Sequence, residues 1–173
     1  ILNQVSRNLD LNFYIESDGA VLNFRLLDYP FKINCLINND SISNMHFLLK
    51  INDNHLVVTD VINKKEYLFR DFTNVGENHD LPFDITNVNK QKWNDNSYNL
   101  YFLSTKNVVK SLKNSIDVST VGNKSDILNL RFNDANPKYA RLVLDEVISV
   151  FNSDGIRDRQ SIHKRTIDFV NSR

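Results

Sequence analysis

Asn136-Pro137-Lys138-Tyr139-Ala140-Arg141-Leu142-Val143-Leu144-Asp145-Glu146-Val147-Ile148-Ser149-Val150-Phe151 is the stretch from which the rest of the chain is best read. Asn136 supplies an N-cap oxygen, and Pro137 sits at the first helical position, where its missing N–H is harmless and its fixed φ suits the turn. Tyr139, Ala140, Leu142, Val143, Leu144, Val147, Ile148, Val150 and Phe151 then recur at helical spacing. A stripe that wide is suited to lie on a sheet. Past Phe151 it thins: only Ile156, Ile162, Ile167, Phe169 and Val170 remain as large apolar side chains before Arg173. A helix over 136–173 runs roughly 57 Å at 1.5 Å per residue, about twice the diameter of a small domain, so its second half is expected to project. Gly155 inside it is expected to permit a bend. The chain opens on Ile1 and stops without a helix-ending glycine or proline, so both ends are expected to be cuts inside a larger protein.

Outward from the helix, the preceding residues read as strand, helix, strand, strand. Tyr98–Ser104 is a strand, Ser104 or Thr105 caps a short helix bearing Val108, Val109 and Leu112, and Ile116–Val118 and Ile127–Phe132 flank a turn at Gly122-Asn123-Lys124. The first half is almost purely strands. Ile1–Leu9 is helix-compatible, after which the period becomes two: Leu11-Phe13-Ile15 and Val21–Leu27 flank a hairpin turn at Asp18-Gly19. Pro30 opens a strand in which Phe31, Ile33, Cys35 and Ile37 share the buried face. Met45-Phe47-Leu49-Ile51 alternates with His46 and Lys50, a turn follows at Asn52-Asp53-Asn54, and Leu56-Val57-Val58 and Tyr67-Leu68-Phe69 join through Asn63-Lys64-Lys65. Between Asp71 and Ser97 no period is sustained, which predicts loop or weak edge strand. The expected fold is α+β, an antiparallel strand-rich lobe with a short N-terminal helix over 1–104 and an α/β base over 105–173 ending in the long helix.

Bulk properties narrow the function classes. The 173 residues suffice for one substantial core or two small lobes, and 21 basic residues balance 21 acidic ones. No global field recruits nucleic acid or an anionic membrane, so no nucleic-acid partner is expected. The single Cys35 forms no internal bridge and is expected in the core. No stretch approaches the ~20 consecutive apolar residues of a membrane span. His46, His55, His79 and His163 lie far apart without ligand spacing, the four glycines are isolated, and no calcium loop is present, so neither metal nor cofactor is expected. Asp80, Asp84 and Glu77 are the carboxylates whose convergence in space would suit glycoside chemistry. No catalytic residue is assigned.

Arg157, Arg159, Lys164 and Arg165 punctuate the far half of the long helix among Asp154, Asp158 and Asp168. Their plainest role is a mixed-charge exposed face. The sharper role is contact with neighbouring subunits or an acidic polymer.

The order of these motifs resembles a known family. Ile116-Asp117-Val118, a turn, Ile127-Leu128-Asn129-Leu130, then Asn136-Pro137-Lys138-Tyr139-Ala140 leading into Leu142–Phe151 and a charged helix ending Thr166-Ile167-Asp168-Phe169-Val170 is similar to the chain-length determinant family. These are polysaccharide co-polymerases, including the extracytoplasmic portions of bacterial tyrosine autokinases for capsule and exopolysaccharide. Val5–Leu11, Tyr14, Gly19 and Leu27-Asp28-Tyr29-Pro30-Phe31 resemble the stretch after the family's first helix. Asn38–Ser97 matches only in being strand-rich, and the strand lobe is larger than the compact base of the simplest members. The resemblance implies a protein anchored in the inner membrane by two helices outside this sequence, with this domain on the periplasmic side. It implies ring-like homo-oligomers that act with a polymerase or export machinery to govern the length or export of a surface polysaccharide, without forming glycosidic bonds.

Two other readings stand beside it. A stand-alone carbohydrate-binding β module would stack sugars on exposed aromatics such as Trp93, Tyr98 and Tyr101, although at least one of the two strand tyrosines is expected to face the core. A polysaccharide hydrolase would need the carboxylates named above to converge.

Overall fold

A computed structural model describes residues 1–172, apart from 19–24, 38–41, 53–54, 71–74, 76–79, 94–96 and 123–125 and the side chains of Asp18, Asn52 and Lys90. In chain order the elements are α1 (Leu2–Asn8), β1 (Phe13–Asp18), β2 (Arg25–Leu26), β3 (Lys32–Cys35), β4 (Met45–Asn52), β5 (His55–Asp60), β6 (Lys65–Phe69), β7 (Phe83–Thr86), α2 (Lys90–Trp93), β8 (Ser97–Phe102), α3 (Thr105–Ser115), β9 (Ile116–Thr120), β10 (Leu128–Phe132) and α4 (Pro137–Asn171). Antiparallel sheets and helices coexist, and the fold is α+β with a long C-terminal helix.

The chain divides into two compact units, Asp10–Lys110 and Ile1–Leu9 with Ser111–Arg173. The division differs from a cut at residue 104 mainly at the front of the chain. α1 belongs with the C-terminal unit: Val5 and Ser6 are fully buried, and Asn8 Nδ2 donates to Glu146 Oε1 on α4 at 2.6 Å. The strand unit is therefore an insertion between α1 and the end of α3. Its entering and leaving strands pair directly, with Phe13 opposite Phe102 in the β1–β8 ladder. Below that pair, Leu103 N donates to the Asn12 carbonyl at 2.7 Å. The buried Asn12 side chain donates to Leu103 O at 2.9 Å and to Thr105 Oγ1 at 3.1 Å.

The inserted unit is a six-stranded antiparallel sheet, order β2-β1-β8-β4-β5-β6, faced by the β3–β7 pair. Period-two alternation sorts the side chains. Ile15, Phe47, Leu49, Leu56, Val58, Leu100 and Phe102 enter the core from the sheet, and Phe31, Phe83 and Ile85 enter it from the opposite side. Phe47 meets Phe83 edge-on at 5.0 Å and Phe83 stacks on Phe102 at 5.6 Å. Ile33, Cys35 and Ile37 pack against this core but are only partly buried, so the thiol lies at the edge of the core rather than inside it. β7 and α2 occupy a stretch expected to be loop or weak edge strand. Phe83 and Ile85 are a two-residue alternation, too short to register as a period, yet they pair with β3 in full register. The hairpin β1–β2 forms with Glu16 opposite Arg25, while the turn residue Gly19 lies outside the described residues, as do parts of the turns expected at 52–54 and 122–124.

The other unit is thinner. β9 and β10 form a two-stranded antiparallel sheet in which Val118 opposes Leu130 and Ile116 opposes Phe132. Phe132 meets Tyr139 of α4 edge-on at 5.8 Å, and Tyr139, Val143, Val147 and Val150 are the buried residues of α4. Asn136 caps the helix as expected, its Oδ1 accepting from Lys138 N at 3.0 Å and Tyr139 N at 3.2 Å. The helix runs through Gly155 without interruption.

Candidate interaction surfaces

The four basic residues singled out from sequence all lie on the exposed half of α4. At about 3.6 residues per turn, Arg157 and Lys164 stack two turns apart on one side, whereas Arg159 points roughly the opposite way and Arg165 lies between. They do not make one patch. Arg157 is engaged along its own helix, its guanidinium 2.6 Å from Asp154 Oδ1, an exposed i,i+3 pair of the kind worth well under ~1 kcal/mol. It is one instance, at Arg157, of the mixed-charge pairing expected along this face.

The apolar residues of the same segment carry a stronger signal. Ile156, Ile162, Ile167, Phe169 and Val170 are each 57–64% exposed. Scattered apolar side chains on a surface are ordinary, whereas exposed ones gathered along one stretch of helix are the kind of surface at which interactions form. The segment is also built from weak helix formers, with glycine, asparagine, serine, aspartate, threonine and isoleucine where alanine, leucine or glutamate would hold it better. Helices in water draw most of their stability from packing of an apolar face.

A second apolar feature sits at the other end of the helix. Ile116 and Val118 of β9, Leu128 and Leu130 of β10, and Ile148 and Phe151 of α4 line a cleft of about 610 Å³, closed on one side by Ile1 and Leu2, with Lys113 and Asp126 among its lining residues. Its origin is geometric. The hairpin and helix touch at Phe132–Tyr139, but two strands are too few to cover a four-turn apolar stripe, so Val118, Leu128 and Phe151 are left more than half exposed. Sequence reading located these strands without marking this cleft. The signal available was a single hairpin, apolar on one face, set against a helix wider than itself.

In the inserted unit the aromatics expected on the surface are placed otherwise. Trp93 is 1% and Tyr98 5% exposed, both packed in the core with Phe31, so neither is available to stack on a sugar. The irregular polar sequence around Trp93 gave no sign that α2 would turn the indole inward. Tyr101 is on the opposite face from Tyr98, as a separation of three residues on a strand requires. There it stands in a row that crosses four strands. The Arg25 guanidinium lies 4.5 Å over the Tyr14 ring, Tyr14 stacks on Tyr101 at 4.9 Å, and Tyr101 stacks on His46 at 4.3 Å, whose Nε2 donates to Asn99 Oδ1 at 2.9 Å. The centroid spacings match the roughly 4.8 Å between strands, so the rings stand on edge and spend their faces on one another. Glu16 lies beside the row. Burial pushes its carboxyl above the ordinary value, against the pull of Arg25 and His46.

The carboxylates considered for glycoside chemistry are not brought together within the described residues: Asp80 is exposed, Asp84 lies on β7 with Oδ1 buried and without a hydrogen-bond partner, and Glu77 is outside the described set. Among the described residues no group of three histidine, cysteine or carboxylate side chains is placed to hold a metal ion, and no helix is long and apolar enough to cross a membrane. No family model matches the chain, and no curated protein matches it significantly.

Proposed function

We propose that this chain is an extracytoplasmic scaffold domain of a membrane-anchored protein, one that governs the length or export of a surface polysaccharide by self-association rather than by catalysis. The observation that carries the reading is the far half of α4, in which every residue from Ile156 to Ser172 is exposed although apolar side chains are spread along it. A helix of that composition has no use as part of its own unit's core and a clear one as a surface that meets other copies. The motif order that resembles the chain-length determinant family supplies the polysaccharide, the inner-membrane anchoring outside this sequence, and a polymerase or export machinery as partner. The charged residues Arg157, Arg159, Lys164 and Arg165 are then a polar border to the contact, where many weak pairings hold a neighbour or an acidic polymer without gripping it.

The test is made in cells that carry the parent gene. Replacing Arg157 and Arg165 together by glutamate shifts the length distribution of the polymer on a gel ladder while protein level and folding stay normal. An unchanged ladder from a stably expressed double variant overturns the assignment.

A further inference from the structure

β9 is an edge strand without the features that close an edge. Val121 N donates to Ile127 O at 3.0 Å and Asn133 N donates to Ser115 O at 3.1 Å, one pair just beyond each end of the β9–β10 ladder. Bonded pairs alternate with unbonded ones in an antiparallel ladder, so Asp117 and Ser119 spend their backbone groups on β10, and Ile116, Val118 and Thr120 turn theirs outward. Among the described residues no strand pairs with that side, and Asp117, Val118, Ser119 and Thr120 are all exposed. Proline, lysine and bulges ordinarily blunt such an edge, and residues 116–120 have none of them. We infer that the free edge of β9 pairs antiparallel with the same edge of a second copy, joining two hairpins into one four-stranded sheet of order β10-β9-β9-β10. The inference rests on the reading of the chain as a self-associating scaffold and names a surface, apart from the far half of α4, at which copies meet.

Three observations select a copy of the chain as the partner. First, charge decides the register. Centring the two-fold axis on Val118 sets Ile116 opposite Thr120 and Asp117 opposite Ser119, whose hydroxyl donates to a carboxylate. Centring it on Asp117 opposes that carboxylate to itself, and centring it on Ser119 leaves Ile116 outside the ladder. Second, the faces match. Ile116 and Val118 line the apolar cleft with Leu128 and Leu130, while Asp117, Ser119, Asn129 and Arg131 take the other face. A two-fold axis normal to the sheet sets Leu130 and Val118 in one row with Val118 and Leu130 of the second copy, apolar throughout. Arg131 and Asp117 stand in the next row with Ser119 and Asn129 of the second copy, polar throughout. Third, α4 packs chiefly along β10, where Phe132 meets Tyr139, so β9 is the edge left for pairing. The contact is isologous, and one partner exhausts it.

That register gives the test. Asp117→Cys and Ser119→Cys are made separately in chains that carry Cys35→Ser. Residues directly opposite in an unbonded antiparallel pair lie about 4.5 Å apart at Cα, within the span of a disulfide, whereas each of these residues and its own copy lie roughly 7–8 Å apart, beyond it. On mild oxidation an equimolar mixture yields a cross-linked heterodimer at least tenfold in excess of either self-linked product. Val118→Pro removes the central outward N–H and takes nothing from the β9–β10 ladder, which is the place where an edge strand accepts proline. In analytical ultracentrifugation the unaltered chain self-associates and Val118→Pro does so at least tenfold more weakly, with Val118→Lys as the second variant should Val118→Pro disturb folding by circular dichroism. An unaltered chain that stays monomeric up to millimolar concentration overturns both this inference and the scaffold reading. Self-association without the preferred heterodimer link, or undiminished in the Val118 variants, overturns the edge pairing alone.

Discussion

Asp60 ends β5 and organises the turn that follows. Its Oδ1 accepts from Ile62 N at 3.0 Å and Asn63 N at 2.9 Å, its Oδ2 accepts from Asn63 Nδ2 at 2.7 Å, and Lys64 completes the turn at a φ of 57°. Burial pushes the carboxyl up, but the hydrogen bonds from Asn63 and Ile62 together outweigh it and hold it below its ordinary 3.8, with His46 assisting. A carboxyl depressed in the folded state contributes stability above its unfolded value and loses it as pH falls through the folded one. Asp60→Ala is therefore expected to lower stability at neutral pH by about 1–3 kcal/mol, through orphaned donors. The gap between the two proteins should close below about pH 4, as read from urea midpoints across pH. The turn itself was legible in Asn63-Lys64-Lys65 between two apolar runs. The clasp was not, because a single aspartate before two aliphatic residues has no distinguishing pattern. Trp93 repeats the lesson: a lone indole in polar sequence reads as surface, and only the geometry of α2 and the facing Phe31 and Tyr98 turn it inward.

At the scale of an element, α4 is one helix with two energetic regimes. Up to Phe151 it is anchored by buried Tyr139, Val143, Val147 and Val150, and beyond that every described residue except Asp154 is exposed. Substitutions should report on different observables in the two halves. Asn136→Ala removes an acceptor for two backbone donors at the packed end and is expected to cost about 0.5–2 kcal/mol of global stability. At Gly155 a Cβ meets nothing within 4 Å, so Gly155→Ala should favour the helix locally by about 1 kcal/mol. Because that position lies beyond the packed half, the gain is expected as slower amide exchange over Asn152–Asn171, with the urea midpoint nearly unchanged. The helix was the most legible part of the sequence, since a cap, a proline and a long apolar period agree on it. β7 was the least legible, because two apolar residues acquire a period only once β3 lies alongside them.

On the scale of the whole molecule, the sequence read α+β correctly but placed the seam by chain order, keeping α1 with the strands that follow it. Contacts across a long sequence separation, Asn8 to Glu146 and Phe13 to Phe102, decide otherwise, and no local pattern announces them. The same limit hid the cleft, whose walls come from residues 1–2, 113–130 and 147–151. The exposed end of α4 gives a test that needs no variant. Trypsin should cut first after Arg157, Arg159, Lys164 and Arg165 in dilute solution, and those cuts should slow as concentration rises and neighbouring copies cover the helix, as mass spectrometry of the fragments would show.

The doorway of the strand unit has a further consequence. Its first and last strands stand side by side, about 5 Å apart at paired Cα atoms, so the chain departs and comes back at nearly one point. Such a cassette can be enlarged, exchanged or replaced by a tight turn while α1 and α3 keep their connection.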